Sequence, residues 1–116
     1  MRGKLGDKVR LNHMLESVEL IEEFIEGVEY STYMDDLKLR LALVKLLENI
    51  GEATVAVSVE IKDEFSEVEW RTLKTVRNIL IHEYFGINYD TVWDSVTNHV
   101  PPFKAKIQHI LNTKFP

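Results

Sequence analysis

The chain has 116 residues, of which 45% are hydrophobic and 28% are charged. This length suits one globular domain over residues 1–116 and leaves no room for a second. The absence of cysteine excludes a disulfide framework, a thiolate metal site and a cysteine nucleophile, and is compatible with a reducing cytosol. A net charge of -5 argues against a protein that coats nucleic acid through bulk charge.

Two further features of the whole chain concern its location and its assembly. Residues 1–10 are basic and no apolar run follows them, so we expect no signal peptide. No apolar stretch approaches the roughly 18 residues that span a bilayer, so we expect a soluble, cytoplasmic protein with no membrane contact. A domain of this size leaves much apolar surface exposed unless a second subunit covers it, which keeps a dimer open.

The first pattern along the chain is an amphipathic helix with an acidic outer face. Its apolar residues recur at alternating spacings of three and four, and glutamates fill the remaining positions. A polar stretch, residues 30–36, separates it from the next helix. The apolar positions are Leu11, Met14, Val18, Ile21, Ile25 and Val28.

The second predicted helix has apolar residues on more than one side, so we expect it to be central. Residues 53–59 carry β-branched side chains at alternate positions and could instead form a strand. We favour a helix, because the register continues without a turn signal and a lone short strand has no partner. Gly51 costs this helix about 1 kcal/mol relative to alanine, so a close approach by another helix is expected there. The stripe comprises Leu39, Leu43, Leu46, Ile50, Ala53 and Val57, widened by Leu41, Val44 and Leu47.

Three more helices complete the predicted fold. Residues 69–84 form the third, with Gly86 ending it, and Asp90 is a plausible N-cap of a short fourth helix. Pro101 and Pro102 suit the start of the last one. We therefore predict an all-α, up-and-down bundle of about five helices. The inward positions of these three helices include Trp70, Leu73, Val76, Leu80, Ile81, Val92, Trp93, Val96, Phe103, Ile107, Ile110 and Leu111.

The net charge is unevenly distributed along the chain. Residues 11–69 hold four basic and fifteen acidic residues, a net of -11, whereas residues 70–116 hold six basic and three acidic residues, a net of +3. Residues 1–10 add another +3. The C-terminal segment is therefore locally basic, which allows a focused cleft that binds RNA although bulk charge does not favour it.

A polar cluster interrupts the third helix and is the candidate site. Arg77 and Tyr84 are seven residues apart and nearly eclipsed, and Asn78 and His82 form an i, i+4 pair on the neighbouring face. Arginine offers bidentate phosphate geometry and histidine titrates near neutrality. Together they suit phosphodiester cleavage without a metal, with His82 moving the proton and Arg77 stabilising transition-state charge.

Helix geometry adds a constraint to this interpretation. Arg77 and His82 lie about 140° apart around one helix, so the two side chains do not readily converge from a single copy. A two-fold axis that pairs two such helices would double the set and form one cleft. A purely structural interpretation also stands: Arg77 and His82 could serve the helix dipole, and Tyr84 could be a core residue.

The ordered set of motifs resembles one known family. Arg77-x4-His82-x-Tyr84 resembles the Arg-x4-His-x-Tyr signature of HepT toxins, small α-helical ribonucleases of the HEPN superfamily. The resemblance covers residues from about Leu11 to the C-terminus, and only the proline that many relatives have before Trp70 is missing. The further matching segments are Ile50-Gly51-Glu52-Ala53, Trp70, Tyr84-Phe85-Gly86-Ile87-Asn88, Val92-Trp93 and Val100-Pro101.

The resemblance implies a function and partners for this chain. It implies a homodimer formed through the motif helix and a metal-independent endoribonuclease of tRNA or mRNA that needs no cofactor, with Arg77, Asn78 and His82 as catalytic residues. It also implies a type II toxin-antitoxin pair in which an MntA-like nucleotidyltransferase antitoxin transfers AMP to Tyr84. Phosphate on Tyr84 would lie against Arg77 and block the cleft. The alternative is a non-catalytic substrate-binding or regulatory subunit of a nucleotidyltransferase.

Several other residues carry weaker signals. Glu52 follows Gly51 and could touch the site through helix packing, although a structural role is at least as plausible. His13, His99 and His109 have no partners at metal-ligand spacing, so we expect no metal site. Trp70 and Trp93 suit core or interface positions better than stacking on RNA bases.

Overall fold

The computed structural model describes residues 3–82 and 86–116, with side-chain surroundings from residue 6 onward. No strand occurs in these residues, and none of their helices is long and apolar enough to cross a bilayer. The helices are α1 (Gly3–Ile25), α2 (Tyr30–Asp35), α3 (Leu37–Ala56), α4 (Val59–Glu64), α5 (Trp70–His82), α6 (Tyr89–Asp94) and α7 (Val100–Lys114), with a π-helical turn at Ser95–His99 between the last two.

The four long helices alternate in direction, which confirms the predicted all-α, up-and-down bundle. Leu11 and Met14, early in α1, share an apolar cluster with Ala53, late in α3. Val18, later in α1, shares a second cluster with Leu43, early in α3. Helix α5 runs from Trp70 in the first cluster to Leu80 in the second. Helix α7 runs the other way, from Val100 in the second cluster to Ile107 in the first.

Helix α3 lies at the centre of the bundle, as predicted, and packs against α1, α2, α5 and α6. Val44 and Leu47 are buried, but Leu41, expected in the same stripe, is 51% exposed. The helical interpretation of residues 53–59 is confirmed as far as Ala56. Val57 is extended, with ψ of 141°, and Ser58 then caps α4 by accepting a hydrogen bond from the Ile61 amide.

Helix α1 begins and ends earlier than its apolar pattern indicates. It starts at Gly3 rather than near Leu11 and ends at Ile25, followed by Gly27 in the left-handed conformation with φ of +70°. The buried carboxylate of Asp7 accepts hydrogen bonds from the amide and hydroxyl of Ser58, at 2.8 and 2.6 Å. This contact attaches the first turns of α1 to the junction between α3 and α4.

The bundle contains two six-residue helices in addition to the five predicted. One of them, α2, occupies the stretch expected to be a polar connection. Its Tyr33 is fully buried, and the phenol donates a 2.7 Å hydrogen bond to the carbonyl of Tyr89. The tilted rings of Tyr33 and Trp93 lie 4.6 Å apart, so α2 covers one end of the core. The other is α4, between α3 and α5.

The C-terminal helices form one continuous helical segment from Tyr89 to Lys114. Asn88, rather than the predicted Asp90, caps α6 and accepts hydrogen bonds from the amides of Asp90 and Thr91. The π-helical turn closes with a hydrogen bond from the Val100 amide to the Ser95 carbonyl. Pro101 and its neighbour Pro102 occupy the first turn of α7, as predicted, where a missing amide proton is tolerated.

Candidate functional site

Helix α5 carries the candidate site and is anchored at both ends. Trp70 is buried at its start, and its indole Nε1 donates a 3.1 Å hydrogen bond to the carbonyl of Phe65. Leu80, near the other end, is buried against the core. These anchors confirm the core position predicted for Trp70, and they fix which face of α5 meets α3.

Helices α3 and α5 approach each other closely at Gly51. A Cβ atom at this position would lie 2.2 Å from Cβ of Arg77 and 3.1 Å from the carbonyl oxygen of Leu73. Because real Cβ atoms do not come so close, any larger residue would push the helices apart. The close helix approach predicted from the glycine is confirmed, and its partner is the arginine of the motif.

The Arg77 side chain is held by groups on both helices. Its Nε atom lies 3.1 Å from Glu52 Oε1 in an ion pair, and Nη2 donates a 3.4 Å hydrogen bond to Glu52 Oε2. Nη1 donates a 2.7 Å hydrogen bond to Asn78 Oδ1. The buried Nε–H has no hydrogen bond of good geometry within the described residues, despite the nearby carboxylate. The side chain is 21% exposed, so part of the guanidinium faces solvent.

His82, the last residue of α5, is exposed. In the described part of the chain it makes no hydrogen bond or ion pair, and Arg77 is directed toward α3 instead. The structure therefore brings together Arg77, Asn78 and Glu52 and leaves the imidazole exposed on another face of α5. Tyr84, the fourth residue of the motif, lies outside the described residues.

The sequence alone left the role of Glu52 in the site open. The sequence offered two interpretations, a contact with the site or a structural role, and the structure shows a direct contact with Arg77. Its position next to Gly51 was the available signal, because the residue after a close-packed glycine lies at the edge of the same helix contact. Its carboxylate balances the guanidinium charge while no anion is bound.

Two of the other three histidines have surroundings unrelated to the motif, whereas His13 lines the same surface pocket as Glu52. His99 Nε2 lies 3.1 Å from Asp94 Oδ2 at the exposed π-helical turn, and the His109 ring packs edge-on against Phe65. Across residues 3–82 and 86–116, no three His, Asp or Glu side chains are grouped closely enough to hold a metal ion.

The chemistry available at this site is anion recognition together with proton transfer. A guanidinium that is partly exposed and oriented by a carboxylate and an amide oxygen is suited to bind a phosphate oxygen in place of one of those partners. An exposed imidazole can accept or donate a proton. Together the two functions suit the cleavage of a phosphodiester.

Comparisons with known proteins agree with this chemistry. The family model described as "Ribonuclease HepT-like" matches residues 14–110. A protein of Thermococcus cleftensis named probable ribonuclease HepT is 33% identical over 107 residues, which cover 92% of this chain and 97% of that protein. A candidate RNase of Methanocaldococcus jannaschii is 35% identical over 106 residues, covering 91% of this chain and 97% of the relative.

A candidate RNase of Caldanaerobacter subterraneus is 34% identical over 101 residues, covering 87% of this chain and 90% of the relative. No solved structure matches the chain significantly. The matched family model spans most of the chain and includes Gly51, Glu52, Arg77, Asn78 and His82. The chain belongs to the HepT-like ribonuclease family of the HEPN type.

Proposed function

We propose that this protein is a metal-independent endoribonuclease that cleaves RNA by attack of the neighbouring 2′-hydroxyl. The observation that carries the proposal is that Arg77 is held by Gly51, Glu52 and Asn78 while the imidazole of His82 is exposed on another face of the same helix. The family membership of the chain supports the same activity.

The reaction is a transesterification at phosphorus. The 2′-oxygen loses its proton to a base and forms a bond to phosphorus, and the bond to the 5′-oxygen breaks. The departing 5′-oxygen takes up a proton, so the products carry a 2′,3′-cyclic phosphate and a 5′-hydroxyl. His82 acts as general acid or base, Arg77 stabilises the charge on the phosphoryl oxygens, and Asn78 positions the guanidinium.

The activity is tested with purified protein and RNA in the presence of EDTA. We expect cleavage by the wild type and a loss of at least about 10²-fold in Arg77→Ala and His82→Ala, the usual contribution of such groups. Mass spectrometry of the fragments should show cyclic phosphate ends. Full cleavage by either variant would remove that residue from the mechanism. Absence of cleavage by the wild type, with stable binding to a nucleotidyltransferase, would favour a regulatory subunit.

The catalytic cleft is proposed to form between two copies of α5. This accounts for the separation of Arg77 and His82 by about 140° around one helix, and the exposed Ile79 and Ile81 of α5 offer apolar surface for a partner. Mixing inactive Arg77→Ala and His82→Ala subunits tests this directly, since one of the two shared sites in a mixed dimer is intact. Recovery of activity on mixing supports the shared cleft, and no recovery contradicts it.

The biological role that follows is that of a cytoplasmic toxin in a type II toxin-antitoxin pair. Its partner is an MntA-like nucleotidyltransferase that silences the enzyme by transferring AMP to Tyr84. We expect the intact mass to rise by AMP units after incubation with this antitoxin and ATP. An equal rise in Tyr84→Phe would place the modification elsewhere.

A further inference from the structure

One exposed face of α5 is basic and leads to the candidate site. The helix contains no Asp or Glu, and both Arg71 and Lys74 are exposed. At 100° per residue, Arg71, Lys74, Asn78 and His82 lie within an arc of about 80°. The hydrogen bond between Arg77 and Asn78 places the same face next to the guanidinium.

These cations have no counter-ions in the parts of the chain that the structure describes. Five ion pairs occur there, among them Lys104 with Glu22 and Lys114 with Glu64, but none includes Arg71, Lys74 or Lys62 of α4. Other exposed cations of the described residues, such as Lys38, are also outside these ion pairs. The distinctive feature of Arg71 and Lys74 is their position on the face of α5 that leads to the candidate site.

The cations also repel one another. The pKa of Lys62 is lowered first by partial burial and then by the positive charge of Lys74, while Asp7 acts in the opposite direction. Lys62 and Lys74 are therefore near neighbours that raise the energy of the free protein. A ligand that brings negative charge to this surface would relieve the repulsion.

The distances along the helix suit a nucleic acid strand. Lys74 and His82 are eight residues apart, which corresponds to about 12 Å along the axis of α5. A strand that lies along this face and places one phosphate beside Arg77 and His82 would bring phosphates further along the strand to Lys74 and Arg71. The face is thus continuous with the site where the strand is cut.

We propose that Arg71 and Lys74 form a phosphate-binding track that holds single-stranded RNA next to the cleavage site. This inference rests on the proposed ribonuclease function, because it extends the same substrate away from the cut bond. The contacts are to phosphates, so the track gives affinity without reading the base sequence. The occupant is the RNA backbone, whose charge complements these two exposed cations.

The test uses Lys74→Ala and the double variant Arg71→Ala/Lys74→Ala, with Lys38→Ala as the matched control. Lys38 is also an exposed helical lysine outside the ion pairs of the described residues, but it lies in the first turn of α3. Binding is measured by fluorescence anisotropy at several salt concentrations. The probe is a 2′-O-methyl RNA oligonucleotide, which lacks the attacking hydroxyl. Cleavage of unmodified RNA is measured in parallel.

We expect Lys74→Ala to weaken binding severalfold, equally for oligonucleotides of shuffled sequence, and to reduce the slope of log affinity against log salt by about 0.7 per lost contact. The double variant should lose more. KM for RNA should rise in both while kcat stays within about twofold, because uniform binding is lost. Lys38→Ala should match the wild type.

The two proposals can fail separately. If the wild type cleaves RNA but the track variants bind with unchanged affinity and salt slope, the track is overturned and the ribonuclease function stands. If the wild type binds the probe through the track but cuts no RNA, only the ribonuclease function is overturned. Failure of the wild type to bind RNA overturns both. Thermal unfolding of each variant distinguishes a binding defect from a folding defect.

Discussion

The helices α1 and α5 both pack against α3, but they do so with different kinds of side chain. Four apolar side chains of α1 are fully buried, whereas α5 buries only Trp70 and Leu80 and leaves Ile79 49% and Ile81 37% exposed. The contact of α5 with α3 includes an arginine packed on a glycine, with a carboxylate at its edge. The four buried residues of α1 are Leu11, Met14, Val18 and Ile21.

This difference means that, within one bundle, α1 contributes mainly to stability and α5 mainly to the functional site. Full burial of an aliphatic side chain contributes about 1.5–3 kcal/mol, so α1 is a main source of folding free energy. Helix α5 contributes less of this kind and instead presents polar side chains in fixed directions. The chain thus uses its first helix to hold α3 and its fifth to place functional groups on it.

The largest expected effect is loss of a core side chain from α1. Met14→Ala should lower the free energy of unfolding by about 2–5 kcal/mol, because Met14 is fully buried and a cavity remains. Ile81→Ala on α5 should change it by less than about 1 kcal/mol. Urea denaturation followed by circular dichroism measures both values. Equal losses in the two variants would remove the distinction between the helices.

The contact between α3 and α5 can be broken by one methyl group. Gly51→Ala should destabilise the protein by about 1–3 kcal/mol through overpacking against Arg77, although alanine favours the helix by about 1 kcal/mol. RNA cleavage should fall as well, because Arg77 moves. Gly86→Ala is the matched control, since no atom of the residues that the structure describes lies within 4 Å of its added Cβ. A stabilised, fully active Gly51→Ala protein would contradict the close contact.

The free energy of unfolding should also depend on pH through Tyr33 of α2, which belongs to the apolar cluster that contains Val18 and Leu43. Burial is the main cause that raises the pKa of Tyr33 to about 12 from 10.0, with Arg40 acting in the opposite direction. The neutral phenol stabilises the fold fully below pH 10, and this stability is lost as the pH rises through about 12. Unfolding free energy of the wild type should therefore fall more steeply over this window than that of Tyr33→Phe. Parallel curves would contradict this role.

The smallest effect on stability is expected at Glu52. Glu52→Gln removes a partly exposed ion pair with Arg77, so stability should change by less than about 1 kcal/mol. Cleavage should fall by up to about 10²-fold, since misplacement of the guanidinium is costly. Glu48→Gln is a matched control, as Glu48 pairs with Lys45 on the same helix. Unchanged cleavage by Glu52→Gln would assign the carboxylate a purely structural role.

Much of the fold could be predicted because the long helices have strong apolar periodicity. A close helix contact at Gly51 could be predicted because a glycine inside a helix costs stability, and close packing of a second helix against it compensates for that cost. The short helices α2 and α4 were not predicted, since six residues are too few to show a period. The early turns of α1 were also missed, because their anchor is a distant contact between Asp7 and Ser58.

The candidate site was predictable in its residue types but not in its contacts. Spacing along one helix placed Arg77 and Asn78 on neighbouring faces, but no pattern gives the direction of a long arginine side chain. Glu52 belongs to another helix and reaches Arg77 only through tertiary packing. The same holds for the influence of Lys74 on the pKa of Lys62, because the two lysines belong to different helices.

The π-helical turn at Ser95–His99 accommodates one extra residue between α6 and α7. Val92, Val96 and Val100 follow one another at steps of four residues across this turn, and all three are buried, at 3%, 1% and 4% exposure, so the apolar face continues through it. The five residues of the turn rotate the chain about as far as four residues of a regular α-helix. Deleting one residue here should therefore restore a regular helix and leave the apolar face of α7 in line with that of α6.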